Sequence, residues 1–89
     1  MREKERINRI MSLLQRIWEQ QPDVRFNQLI SNLQHMYSSQ NEGYGQRMTK
    51  EKGPLGNVVE SSYLDLFYLE DDKWEVFLQR IVDNWEKDD

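Results

Sequence analysis

The sequence predicts an all-α domain: a small bundle of three main helices at about 3–20, 24–37 and 72–87, a short helical segment near 60–69, and a long loop over 38–57. Three observations lead there. Apolar residues recur at three- and four-residue steps in three separate stretches, proline and glycine punctuate the chain between them, and an isolated strand would have no evident partner.

The first stripe is Ile7, Ile10, Met11, Leu14, Ile17 and Trp18, which places a helix from about Glu3 to Gln20 with Arg6, Arg9 and Arg16 on its polar side. Pro22 forbids its continuation and biases Gln21 away from helical geometry. Asp23 then offers a carboxylate to the free amides of a second helix, whose stripe is Phe26, Leu29, Ile30, Leu33 and Met36. A short connection favours an antiparallel pair, with apolar burial contributing about 25 cal/mol per Å².

From Ser38 to Asn57 the periodicity lapses. The run Ser38 to Gly45 is polar and glycine-bearing, and Gly53-Pro54-Leu55-Gly56 has proline at the second position of a turn. A connection this long is read as mobile, with partial helix around Gln46 to Lys52 or a contact role as the alternatives. Between Val58 and Leu69 the residues Tyr63, Leu64, Leu66, Phe67, Tyr68 and Leu69 are too densely apolar for period alone to separate strand from helix. One or two helical turns carrying Leu64 and Phe67 inward are expected, because a lone strand would go unpaired. The last helix is clearer, with Trp74, Phe77, Leu78, Ile81, Val82 and Trp85 in a full stripe. Asp71 or Asp72 can cap its start, with Glu75 three residues beyond Asp72, and the acidic cluster suits the positive end of the helix dipole.

Composition limits what such a domain can do. Eighty-nine residues, 37% hydrophobic with three Trp, four Tyr and three Phe, suffice for one small core and leave no room for a separate cofactor module. The chain has no cysteine, hence no disulfide and no thiolate-held metal, which suits the cytoplasm. The charged start lacks a signal-peptide pattern, since Gln15 and Arg16 break the apolar stretch, and no run is long enough to span a membrane. Residues 1–52 hold nine Lys/Arg against six Asp/Glu, whereas residues 53–89 hold three against ten. The two halves are therefore expected to face each other or to be solvated, and the net charge of -4 argues against nucleic-acid binding.

Two stretches carry a family resemblance: Trp18 with Pro22-Asp23-Val24-Arg25-Phe26 and Gln28-Leu29-Ile30, then Asp65-Leu66-Phe67-Tyr68-Leu69-Glu70-Asp71-Asp72. Together they resemble the small bacterial and phage proteins grouped as YihD-like. The likeness covers the flanks and not Gly43 to Val59, and Leu66 stands where that pattern leads one to expect proline. It implies a small helical cytoplasmic protein, bacterial or phage-borne, and supplies no reaction and no catalytic residues.

Candidate sites are few. Glu70, Asp71 and Asp72 lack the spacing of a calcium loop and read as helix capping, His35 has no metal-ligating companions, and Gly43-Tyr44-Gly45 lacks the remainder of a phosphate loop. No catalytic residue, metal site or cofactor is expected. The binding candidates are Arg25, Tyr44, Arg47, Lys50, Tyr68, Glu70 and Asp71, with Arg25 expected to ion-pair with the Glu70 to Asp72 segment. The leading functional expectation is a non-enzymatic protein-protein interaction or regulatory module that presents surplus aromatics to a protein partner or to a second copy of itself. The alternative is a nucleic-acid-associated regulator with a helix-turn-helix-like first half. A membrane-surface role for the first helix is the third reading, disfavoured because its stripe is needed for the core.

Overall fold

The computed structural model describes residues 2–87, with the side chains of residues 86 and 87 left aside. The elements in order are α1 (Glu5–Glu19), α2 (Phe26–Gln40), β1 (Gln46–Lys52), β2 (Val58–Leu64) and α3 (Asp71–Lys87). The all-α helical bundle expected from the sequence is thus corrected to three helices and an antiparallel two-stranded sheet. The expected loop 38–57 contains β1 and the hairpin turn, and the expected helical segment 60–69 is occupied by β2 and a turn. The three helices stand close to their expected places.

The chain divides into two compact units: one takes in the chain up to Ile30 and from Leu69 onward, the other spans Ser31–Tyr68. In the first unit α1 packs chiefly on α3, not on α2 as a short connection had suggested. Its core is Leu13, Leu14 and Ile17 of α1, Leu29 of α2, and Phe77, Leu78 and Val82 of α3. Ile7 and Met11 lie outside it, so α1 turns its Leu13–Leu14–Ile17 face inward and leaves one flank of its stripe in solvent. Between α1 and α2 the Trp18 indole N–H donates to the Val24 carbonyl at 2.7 Å, and its ring lies 5.4 Å from that of Phe26. Those two contacts close the corner that Pro22 opens.

The second unit begins within α2, where Leu33, Tyr37 and Ser38 are buried and Met36, expected inside, is exposed. The Ser38 carbonyl accepts the Asn41 and Gly43 N–H groups, which ends the helix. Its side chain is less well served. Ser38 is 3% exposed, and its Oγ finds no hydrogen-bond partner among the described residues. Ser38→Ala removes a desolvated hydroxyl and improves helix propensity, so it should raise stability by about 1 kcal/mol. A urea midpoint that falls on this substitution would show that the hydroxyl is satisfied after all.

Gly53-Pro54-Leu55-Gly56 forms the hairpin tip, with the Gly56 N–H donating to the Gly53 carbonyl at 3.0 Å and the Gly53 N–H to the Asn57 carbonyl at 2.6 Å. Leu55 keeps a negative φ while Gly56 takes +81°. This is a type I turn followed by a left-handed glycine, the three-residue hairpin loop that pre-set proline and permissive glycine favour.

Candidate functional site

Two constellations hold the chemistry-bearing side chains, one in each unit. The first is a ladder of ion pairs between α1, with the residues just before it, and the start of α3. Arg2 meets Glu70 at 2.9 Å, Arg6 meets Asp71 at 2.7 Å, and Arg9 meets Glu75 at 2.8 Å. The partners ascend together, so the two helices run parallel with their N-terminal ends adjacent, an arrangement that requires the long intervening segment. Asp71 and Asp72 lie in the first turn of α3, where carboxylates suit the helix dipole, and Asp72 Oδ1 accepts the Lys73 N–H at 2.9 Å. Arg9 also reaches Glu3. Hydrogen bonds donated to Glu75 first and Glu3 second hold the Arg9 proton more tightly than in a free guanidinium. With the guanidinium pKa raised, its side of the contribution is present at neutral pH and lost as pH rises into strong alkali.

A shallow cleft of about 280 Å³ runs along this ladder. Of its carboxylates, Glu3, Glu70, Asp71 and Glu75 accept from arginine, and Asp72 accepts the Lys73 N–H. Solvent screening keeps the energy of such pairs small. They set the pairing of α1 with α3 more than its strength. The expected Arg25 ion pair is corrected here: Arg25 is exposed and makes no ion pair among the described residues, and Glu70 and Asp71 pair with Arg2 and Arg6 instead.

The second constellation is the hairpin. Its register pairs Gln46 with Leu64, Thr49 with Ser61, and Lys52 with Val58. Side chains alternate across it, so Met48, Lys50, Val58, Glu60 and Leu64 share one face, and Arg47, Thr49, Glu51, Val59, Ser61 and Tyr63 share the other. Lys50 and Glu60 approach to 3.7 Å on the first face, and the Thr49 and Ser61 hydroxyls are 2.6 Å apart on the second. Neither face is buried: only Thr49 in β1 and Leu64 in β2 are even half-covered.

At the base the Asp65 N–H donates to the Gly45 carbonyl at 2.8 Å, and Asp65 Oδ1 accepts the Phe67 N–H at 3.0 Å. Gly45 and Asp65 therefore form a hydrogen-bonded pair of the ladder, as do Gly53 and Asn57 at the tip. Residues 59, 61 and 63 accordingly turn their backbone groups toward β1. Val58, Glu60, Ser62 and Leu64 turn theirs outward, to an edge with no strand against it among the described residues.

Four of the sequence candidates fall in this second unit. Arg47 and Lys50 stand on opposite faces of β1; Tyr44 packs edge-on against Tyr37, with ring centroids 5.8 Å apart; and Tyr68 is exposed beside Phe67 at 5.1 Å. Met48, Leu55, Val58, Val59, Tyr63 and Phe67 were not foreseen as surface residues, yet all are exposed. The signal for them lay in the Pro54–Gly56 turn flanked by two seven-residue stretches, one of them opening on Val58-Val59. No helix among the described residues is long and apolar enough to cross a membrane. No protein-family model, curated protein or solved structure matches this chain, so the geometry of these two constellations carries the functional reading.

Proposed function

We propose that this chain is a non-enzymatic protein-protein interaction module, working in the cytoplasm, whose β-hairpin is the docking element. The observation that carries the reading is the concentration of exposed apolar side chains on and beside the hairpin: Met48 at 67%, Val58 at 63%, Tyr63 at 53%, and Phe67 and Tyr68 at 84% and 77%. A two-stranded sheet with both faces in water is marginal by itself, and apolar surface of this kind gains most when a partner covers it. The ion-paired first unit supports an accessory structural role for α1 and α3. It also weighs against the nucleic-acid alternative, since Arg2, Arg6 and Arg9 already face carboxylates and would have to leave them to reach phosphates.

Affinity capture from the native host tests the reading. A Met48→Ser/Val59→Ser/Tyr63→Ser variant should lose the proteins that the wild-type chain retains, while its helical circular dichroism stays unchanged. An Ile7→Ser/Met11→Ser variant, altered on exposed positions of α1, should keep them. Recovery of the same proteins by the hairpin variant would refute a docking role for the hairpin.

A further inference from the structure

We infer that the outer edge of β2 pairs with β2 of a second copy of this chain, in antiparallel register about Ser61, to make a four-stranded sheet. The inference rests on the docking reading of the hairpin and names its occupant. Three observations carry it.

The two edges of the hairpin differ in charge. β1 carries Arg47, Lys50 and Lys52 against Glu51, and edge cations are a common means of discouraging strand addition. Two copies of β1 side by side would also place their net positive charge together. β2 carries a single charge, Glu60, among valines, serines, Tyr63 and Leu64, and its outward backbone groups have no strand against them among the described residues.

The sequence of β2 is self-complementary. Folded about Ser61, the register sets Val58 opposite the second copy's Leu64, Val59 opposite its Tyr63, and Glu60 opposite its Ser62. Apolar meets apolar at both ends, and the aromatic meets a β-branched residue, a favourable cross-strand pair. No like charges stand directly opposite. Centring the pair on Glu60 instead would oppose two carboxylates, and centring it on Ser62 would leave Val58 and Val59 without partners in the opposing strand.

Backbone geometry permits the same register and excludes any centred between two residues. The outward groups belong to Val58, Glu60, Ser62 and Leu64, and pairing about Ser61 brings those residues, and no others of β2, into hydrogen-bonded pairs: 58 with 64, and 60 with 62. Ser61 then faces its own copy across the two-fold axis in a non-hydrogen-bonded pair, the closely spaced kind with Cα atoms about 4.5 Å apart. The interface is isologous and closes on itself, so it yields a dimer and not a fibre.

Sedimentation equilibrium of the full chain, with no other protein present, tests this together with two substitutions. The wild type should sediment at twice the chain mass. Ser62→Pro deletes an N–H that points outward, where proline is tolerated in an edge strand, and should weaken the dimer on the order of a hundredfold. Met48→Pro, which deletes the corresponding outward N–H of β1, should leave it intact. Because the chain has no cysteine, Ser61→Cys supplies a single thiol on the axis and should form a disulfide dimer under mild oxidation far faster than Thr49→Cys. This second measurement reads the register even if the proline variants disturb the hairpin. Wild type at single-chain mass, Ser62→Pro dimeric at wild-type strength, or Ser61→Cys no faster than Thr49→Cys would each overturn the pairing. A strict monomer whose hairpin variants still lose captured proteins would overturn the self-pairing alone and leave the docking reading standing.

Discussion

Leu78→Ala should destabilise the protein by about 3 kcal/mol, the middle of the range for emptying a fully buried leucine site. Leu78 is 0% exposed, and its neighbours on the inner face of α3, Phe77 and Val82, are 6% and 2% exposed. The substitution loses the transfer free energy of the side chain and leaves a cavity in the buried core that a small domain is poorly able to collapse. A domain of this size has a total stability of only about 5–15 kcal/mol, so the melting temperature should fall by roughly 15 °C. Val76→Ala supplies the internal comparison: the same helix and chemistry, but 50% exposed, so a change within about 0.5 kcal/mol is expected. Thermal unfolding followed at 222 nm separates the two. Equal losses would mean that α3 does not bury the face described here.

Gly45→Val should abolish the base of the hairpin. Gly45 sits at φ +83°, and a Cβ built there would lie 2.6 Å from Leu66 Cδ2 and 2.8 Å from the Asp65 carbonyl oxygen. The leucine tip could move, but the carbonyl belongs to the backbone of the residue whose N–H the Gly45 carbonyl accepts, so relief of the clash breaks the first rung of the ladder. Left-handed backbone costs about 1–2 kcal/mol for a residue with a side chain, and the collision adds to that. Gly56→Ala isolates the backbone contribution, since Gly56 has φ +81° with nothing within 4 Å of a built Cβ. Amide chemical shifts of residues 46–64 should collapse toward unstructured values in Gly45→Val and remain dispersed in Gly56→Ala. Preserved hairpin shifts in Gly45→Val would contradict the close approach of Gly45 and Asp65.

The helices were legible because each buries one side. Leu14 and Ile17, Leu29 and Leu33, and Phe77, Leu78 and Val82 all lie inside, and their three- and four-residue spacing is the direct record of that burial. Where an element buries neither face, no such record forms. β1 reads Gln-Arg-Met-Thr-Lys-Glu-Lys, and with water on both sides it has no reason to alternate apolar with polar residues. Its polarity concealed the partner that β2 needed, so β2 was expected to be helical. The dense apolar run 63–69 was ambiguous for a related reason: Leu64 and Leu66 are half-buried whereas Tyr63, Phe67 and Tyr68 are exposed, a division set by tertiary structure and not by local period.

Candidate residues followed the same division. Arg47, Lys50 and Tyr68 were picked out by charge or aromaticity and stand exposed on or beside the hairpin, but their relation to Val58, Val59 and Tyr63 exists only once the register is known. The complementary charge of the two halves was visible in composition, and ion pairs between α1 and α3 express it. Which arginines take part was not legible. It depends on α1 lying parallel to α3, and no local signal in Arg2, Arg6, Arg9 or Arg25 distinguishes partner from bystander.

Amide hydrogen exchange along β2 is the most direct test of the claim that this hairpin exists to be paired. If its outer edge is a docking edge taken by a second chain, the Glu60 and Ser62 amides, which face away from β1, should exchange as slowly as Ser61, and their protection should grow with protein concentration. The outward Met48 and Lys50 amides of β1 should exchange rapidly throughout. Rapid, concentration-independent exchange at Glu60 and Ser62, matching Met48 and Lys50, would contradict it.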